Sequence, residues 1–311
     1  MSGSPPQGLP HNLVLADGSR WVIAAGDEEA AAIVSPLVDA MQLRATGPAS
    51  GIPPAVCATD QAGAAAPPRH RRVRRLLVLV DAHDPAAPLA ACRVPSPRAD
   101  DDAVVCVLRA LPPCEGLSIQ LAALSLVFAR DAQARGGVLL HGALAERDGS
   151  GVLLAAPGGT GKTTASDRLP APWRSLCDDT TLVVRDSHGG YWAHPWPTWS
   201  RFLREGAGGT WDVQNPVPLR GVFFLSRAAE DRVESVGPGQ GVGLLVECAG
   251  QASPLMARGL DRAETRAMHL ERFDNLCALA RLVPTHVLHI SLTGAFWREL
   301  DRTVSGNHPR R

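Results

Sequence analysis

Lys162, with Thr163 and Thr164 after it and Gly158, Gly159, Thr160 and Gly161 before it, is the residue of this chain best suited to handling phosphate. The stretch Ala156-Pro-Gly-Gly-Thr-Gly-Lys-Thr163 fits the phosphate-binding P-loop pattern with alanine in place of the first glycine. Its glycines open turn conformations closed to residues with a Cβ, so successive backbone N–H groups can point at phosphate oxygens. Lys162 then supplies a point charge to the β and γ phosphates, and the Thr163 hydroxyl is placed to ligate Mg²⁺. A glycine-rich turn could meet the pattern by chance, but here the lysine and the hydroxyl both fall in place.

Two carboxylates and an imidazole complete the chemistry. Asp178 and Asp179 follow the short apolar stretch Leu176-Cys177, 16 and 17 residues after Lys162. A strand ending there would deliver both beside the phosphates, one to hold Mg²⁺ and the other to take a proton from an incoming hydroxyl. Adjacent side chains on a strand point to opposite faces, yet at a strand end the backbone turns and both can reach one site. His141 ends the run Val138-Leu-Leu140 and can donate to a phosphate oxygen or orient an acid. The plainer readings are a solvated Asp-Asp turn and a structural histidine.

The elements that must position these groups are readable nearby. Val152–Ala155 is a short apolar run that reads as a buried strand, and the residues after Lys162 can open a helix whose N-terminus favours phosphate. Val138–Leu140 reads as a neighbouring strand across the polar turn Glu146–Gly151. Leu117–Ala134 has helical spacing and stops at Gly136-Gly137. Further strands are expected at 76–80, 104–108, 182–184, 221–225, 243–246 and 287–290, and a helix at 261–282. Leu13–Ile23 reads as strand, turn and strand around Asp17-Gly18, and Glu28–Leu43 as a helix.

At this point the residues carry a resemblance. His141-Gly-Ala-Leu, the polar turn, Gly151-Val-Leu-Leu, the P-loop through Lys162-Thr-Thr164 and Leu176-Cys-Asp-Asp179 together resemble the core of bacterial HPr kinase/phosphorylase. The resemblance implies a phosphotransfer fold related to phosphoenolpyruvate carboxykinase, acting on a serine hydroxyl of a protein. It implies phosphate and Mg²⁺ roles for Lys162 and Thr163, Asp178 as base, Asp179 as metal ligand or second acid, and His141 as helper near the phosphates. The chain departs from that family in its N-terminal region and lacks a Glu-Ile-Arg-Gly type segment after the acidic pair. Arg201, in Trp199-Ser-Arg-Phe202, is the residue that could stand in for part of it. Phosphorylase activity and HPr as acceptor are therefore not carried over. The whole-chain pattern, with a helix ending Arg135-Gly-Gly before Val-Leu-Leu-His141 and a late Phe296-Trp297, is more similar to HPr-kinase-like proteins encoded beside ribosomal peptide precursors, among them lasso-peptide tailoring kinases and the SynChlorMet cassette protein ScmC.

The fold class expected is α/β, with a P-loop kinase core of the HPr kinase and phosphoenolpyruvate carboxykinase type and a smaller N-terminal α/β domain. Residues 1–11 read as a loose tail, 12–114 as an accessory domain with a flexible Ala/Gly/Pro-rich connection near 45–68, and 115–311 as the nucleotide-binding domain. Lys plus Arg equals Asp plus Glu at 31 each, so nothing global argues for nucleic acid or an anionic membrane as partner. Seven cysteines are scattered without a CxxC pair, which suggests neither a zinc site nor a disulfide framework. His286 and His289, three apart on one strand, fall on opposite faces and are no metal pair. The sequence shows neither a secretion signal nor a spanning run, so the cytoplasm is the expected compartment.

Two segments stay open between two readings. Trp192, Trp196 and Trp199 form either a docking platform for a peptide or a rigid segment packed on the domain. Arg69–Arg75 is either a solvated flank or a trap for an acidic leader peptide. Gly237–Gly241 lacks a lysine and reads as a loop. The function expected is an ATP- or GTP- and Mg²⁺-dependent kinase for a peptide hydroxyl, in a chain that could form homo-oligomers. An NTP-hydrolysing accessory protein and a peptide-binding module with a regulatory nucleotide site are the alternatives.

Overall fold

A computed structural model describes residues 7–45, 73–81, 90–93, 103–111, 113–156, 160–202, 208–252, 256–257 and 260–306. The connection at 45–68, nearly all of it, and the loop glycines Gly158 and Gly159 lie outside the described residues. Mixed α/β structure is built on two sheets.

The first sheet has six strands in the order β3-β1-β2-β4-β6-β5, comprising β1 (Gln7–Val14), β2 (Arg20–Ala25), β3 (Arg44–Ala45), β4 (Val73–Asp81), β5 (Ala90–Arg93) and β6 (Ala103–Arg109). β1 starts inside the stretch that reads as a loose tail, because it finds a partner in β2. The β1–β2 turn is pinned by Asp17, whose carboxylate accepts from the Ser19 backbone N–H at 2.8 Å. α1 (Glu28–Ala40) lies on this sheet, N-capped by Asp27, which accepts from the Ala30 N–H at 2.6 Å.

α2 (Pro113–Gln133) passes from the first sheet to the second. The second sheet runs β11-β10-β7-β8-β12-β14-β13, built from β7 (Val138–Arg147), β8 (Ser150–Ala155), β10 (Thr180–Arg185), β11 (Tyr191–Trp196), β12 (Val217–Arg227), β13 (Arg232–Ser235) and β14 (Thr285–Ile290). β9 (Arg174–Cys177) pairs with the far half of β7. β8, β12 and β14 are parallel and buried on both faces, which is why β8 and β12 read as unbroken apolar runs. Val152, Leu154, Phe223 and Leu225 face α3 (Lys162–Asp167) and α6 (Trp297–Gly306). Leu153, Ala155, Val222 and Phe224 face α4 (Pro238–Ala252) and α5 (Arg262–Leu282).

Two sequence expectations fail in α4. The run 243–246 is helical and not a strand, and the supposed loop 237–241 supplies the first turn of that helix. Gly241, Leu245, Cys248 and Ala249 are its buried positions, a helical spacing that three apolar residues in a row cannot reveal. α5 begins where its sequence says, at a capping box formed by Asp261 and Glu264. No helix among the described residues is long and apolar enough to cross a membrane.

Candidate functional site

β8 delivers the chain to the glycine loop and α3 takes it away. Gly161, the N-cap of α3, has φ 109°, a left-handed conformation that costs glycine nothing. A Cβ there would meet nothing within 4 Å, so conformation and not space demands the glycine. Lys162 opens the helix and is buried, whereas Thr163 and Thr164 are exposed on the same turn. The Thr160 carbonyl accepts a bond of 3.3 Å from Arg227 Nε, at the end of the neighbouring strand β12.

The acidic pair lies where β9 gives way to β10. Both strands run antiparallel to β7, and Leu144 opposite Cys177 and His141 opposite Thr180 keep one register, so Asp178 and Asp179 form the bend between them. The Gly142 N–H donates to the Asp179 carbonyl at 2.8 Å across the bend. This alignment sets His141, at mid-strand in β7, beside Asp179.

Asp179, His141 and Lys162 form one line. His141 Nδ1 is 3.3 Å from Asp179 Oδ1, and His141 Nε2 is 2.8 Å from Lys162 Nζ. Lys162 Nζ also donates to the Ala156 carbonyl at 2.8 Å. Burial depresses the His141 pKa, and Lys162 adds to that effect while Asp179 opposes it. A neutral imidazole that accepts from the lysine ammonium and donates Nδ1–H to Asp179 satisfies all three groups. Burial also depresses the Lys162 pKa, against the pull of the Asp179 carboxylate. Cys248 of α4 lies within electrostatic range of Lys162, and burial pushes its thiol up to about 11, so it stays protonated.

Asp178 looks elsewhere. Its Oδ1 accepts from Thr198 Oγ1 at 3.2 Å and its Oδ2 accepts from Arg201 Nη2. Thr198 reaches it because β10 and β11 form a hairpin with Thr180 opposite Trp196, so the residues just beyond each strand also face one another. The tight turn at Gly189-Gly190 is the sequence signal from which that pairing could have been found. No local signal marks Arg227, Cys248 or the Ala156 carbonyl.

The tryptophan run is a strand with a short helical turn after it. Trp196 is fully buried, the Trp192 indole N–H donates to Asp186 at 2.9 Å, and the Trp199 indole N–H donates to Ser125 Oγ at 2.8 Å. Those commitments favour packing over a docking platform. Of the basic run, residues 69–72 lie outside the described residues, while Arg74 pairs with Asp131 and stacks over Trp21 at 5.5 Å. His286 stacks on Phe223, whereas His289 sits beside Arg232. Among the described residues no three His, Cys, Asp or Glu side chains converge as a metal cluster.

The family model of the SynChlorMet cassette protein ScmC matches residues 104–305, well over half of the chain. The matched stretch takes in β6, α2 and the whole second sheet with its site, and leaves β1–β5 outside. No curated protein matches the chain.

Proposed function

The chain belongs to the SynChlorMet cassette protein ScmC family, and from that premise we propose that it is an ATP- or GTP-dependent kinase, HPr kinase-like in its P-loop core, that phosphorylates a hydroxyl of a peptide or protein. The observation that carries this reading is the line from Lys162 through His141 to Asp179, which joins the glycine loop to the acidic pair. Lysine, imidazole and carboxylate meeting at the start of α3 suit phosphoryl transfer, where positioning and charge do nearly all the work.

Each residue has a task in such a transfer. Lys162 and the backbone N–H groups of the loop take up phosphate charge, and moving Nζ from the Ala156 carbonyl to a phosphate oxygen exchanges one hydrogen bond for a stronger one. One hydroxyl and one carboxylate beside a phosphate site are the hard oxygen donors that Mg²⁺ takes, and Thr163 and Asp179 would hold it. The ion supplies neutralisation of phosphate charge. Asp178 accepts the acceptor's hydroxyl proton as the new P–O bond forms and the bond to the bridging oxygen of the nucleotide breaks. Of its partners, Thr198 is buried and Arg201 is half-exposed, on the side where a peptide would arrive. The neutral His141 keeps Lys162 and Asp179 in register.

The test is incubation with labelled ATP, Mg²⁺ and the precursor peptides encoded nearby, read as phosphate added to intact peptide mass. Lys162→Ala is expected to abolish the addition. Asp178→Asn is expected to stop transfer with nucleotide binding kept. Nucleotide turnover without a labelled peptide would point to a hydrolase instead, and full transfer by Asp178→Asn would remove that aspartate from the base role.

A further inference from the structure

We propose that Arg201 is a positioning residue for Asp178, and that the N-terminal sheet sets it in place through the segment 208–213. The inference rests on the phosphotransfer reading for its kinetic consequence, but its structural content stands apart from it.

Both oxygens of Asp178 are taken up by the stretch that follows β11: Thr198 on one and Arg201 on the other. The Arg201 side chain is 47% exposed. An exposed arginine carries about 2 kcal/mol of rotamer entropy and by itself holds a carboxylate only weakly. Here its rotamer is set from behind. The guanidinium carbon lies 5.9 Å from the ring centroid of Trp211, which is 4% exposed. Gly208 packs so closely that an added Cβ would lie 2.9 Å from Arg201 Cβ and run into the Phe202 ring.

The segment that presses on Arg201 is in turn held by the first sheet and its helix. The Trp211 N–H donates to the Ala40 carbonyl at the end of α1 at 2.7 Å. Gln42 Nε2 donates to Thr210 Oγ1 at 2.9 Å. His194 bridges the two halves, donating from Nδ1 to the Val213 carbonyl at 2.7 Å and accepting the Ala16 N–H on Nε2 at 3.1 Å. Ala40 and Gln42 from the N-terminal half, and Ala16 through His194, thus fix a strap, the strap fixes a guanidinium, and the guanidinium fixes a carboxylate. A proton acceptor must be placed before its basicity matters, so the sheet outside most of the family match would complete the site.

The experiment uses the full chain and the variants Arg201→Ala, Arg201→Lys, Gly208→Ala and Gln42→Ala, with Mg·ATP affinity by calorimetry, turnover kinetics and amide hydrogen exchange. Arg201→Ala should lower kcat by roughly 10²-fold, the contribution of one well-placed proton acceptor, with nucleotide affinity held within about twofold. Arg201→Lys should recover part of the rate. Gly208→Ala, which lies outside the proposed machinery, should lower kcat about tenfold by displacing the arginine and should speed amide exchange across Thr198–Phe202. Gln42→Ala should speed the same exchange to a smaller degree. An Arg201→Ala enzyme with raised KM and unchanged kcat would make Arg201 a binding residue and overturn the proposal. So would a Gly208→Ala chain with unaltered exchange at 198–202. If the unaltered chain fails to bind Mg·ATP, the kinase reading falls, and the exchange data still decide the strap.

Discussion

Each half of the molecule gathers arginines and aspartates, and the two gatherings behave differently. In the N-terminal half the side chains of Asp17 and Asp131 are 2% and 7% exposed; they share Arg135, and Arg74 closes on Asp131. Burial, the largest influence on Asp17, acts to raise its carboxyl, but Arg135 and the Ser19 hydrogen bonds outweigh it and hold it below the usual carboxylate range. Such a cluster is a joint, because partners within the fold hold the buried Asp17 carboxylate in its charged form. At the β9–β10 bend the side chains of Asp178 and Asp179 are 16% and 37% exposed, and their partners are a lysine, a histidine and a half-exposed arginine beside a glycine loop. Residue types alone do not separate a joint from a site. Accessibility and placement at strand ends do.

Substitutions in the two clusters should therefore fail in different assays. Lys162→Ala should cut phosphate transfer by at least ~10³-fold, equivalent to about 4 kcal/mol of barrier, while the urea midpoint stays near that of the unaltered chain. A midpoint that drops with activity would make Lys162 a structural residue. Asp17→Ala should do the reverse, costing about 1–3 kcal/mol of stability by leaving Arg135 Nε and the Ser19 N–H without their acceptor, with Mg·ATP affinity unchanged at temperatures where the chain is folded. A stable Asp17→Ala chain would show that the joint is dispensable.

The seam between the halves carries its own signature in pH. Burial of the His194 imidazole holds its pKa at about 4 in the folded chain, below the ordinary 6.5. The unfolded chain binds that proton more readily, so stability is full above about pH 6.5 and falls as pH drops toward 4, by about 3 kcal/mol across the window. Denaturant midpoints measured across that range should show the slope, and His194→Gln should flatten it. An equal slope in the variant would assign the titration to other groups. The smallest effect belongs to the exposed edge of the strap, where Gln42→Ala should cost about 0.5–1 kcal/mol, the worth of one ordinary hydrogen bond. A larger loss would mean that Gln42 holds more than Thr210.

Legibility follows the range of the interaction. The strand and the helix on either side of the glycine-rich stretch are readable because an apolar run, a left-handed glycine at 161 and a helix start are properties of a few neighbouring residues. The same holds for α5 and its Asp261 cap. The run 243–246 misleads because a glycine and three apolar residues fit either period, and only the packing of Leu245, Cys248 and Ala249 against the sheet chooses the helix. The tryptophan run cannot be resolved from its own residues, since Asp186 and Ser125, 6 and 74 residues upstream, claim two of its indoles.

For the site, the amino-acid sequence alone determined which groups are present: a lysine behind a glycine loop, a paired carboxylate and a histidine at the close of an apolar run. Tertiary structure decided how they are shared. The register of β9 and β10 on β7 gives Asp179 to His141 and Lys162, and the β10–β11 hairpin gives Asp178 to Thr198 and Arg201. Which carboxylate meets which partner depends on the alignment of strands distant in the chain, and a one-residue slip would send both side chains to the opposite faces.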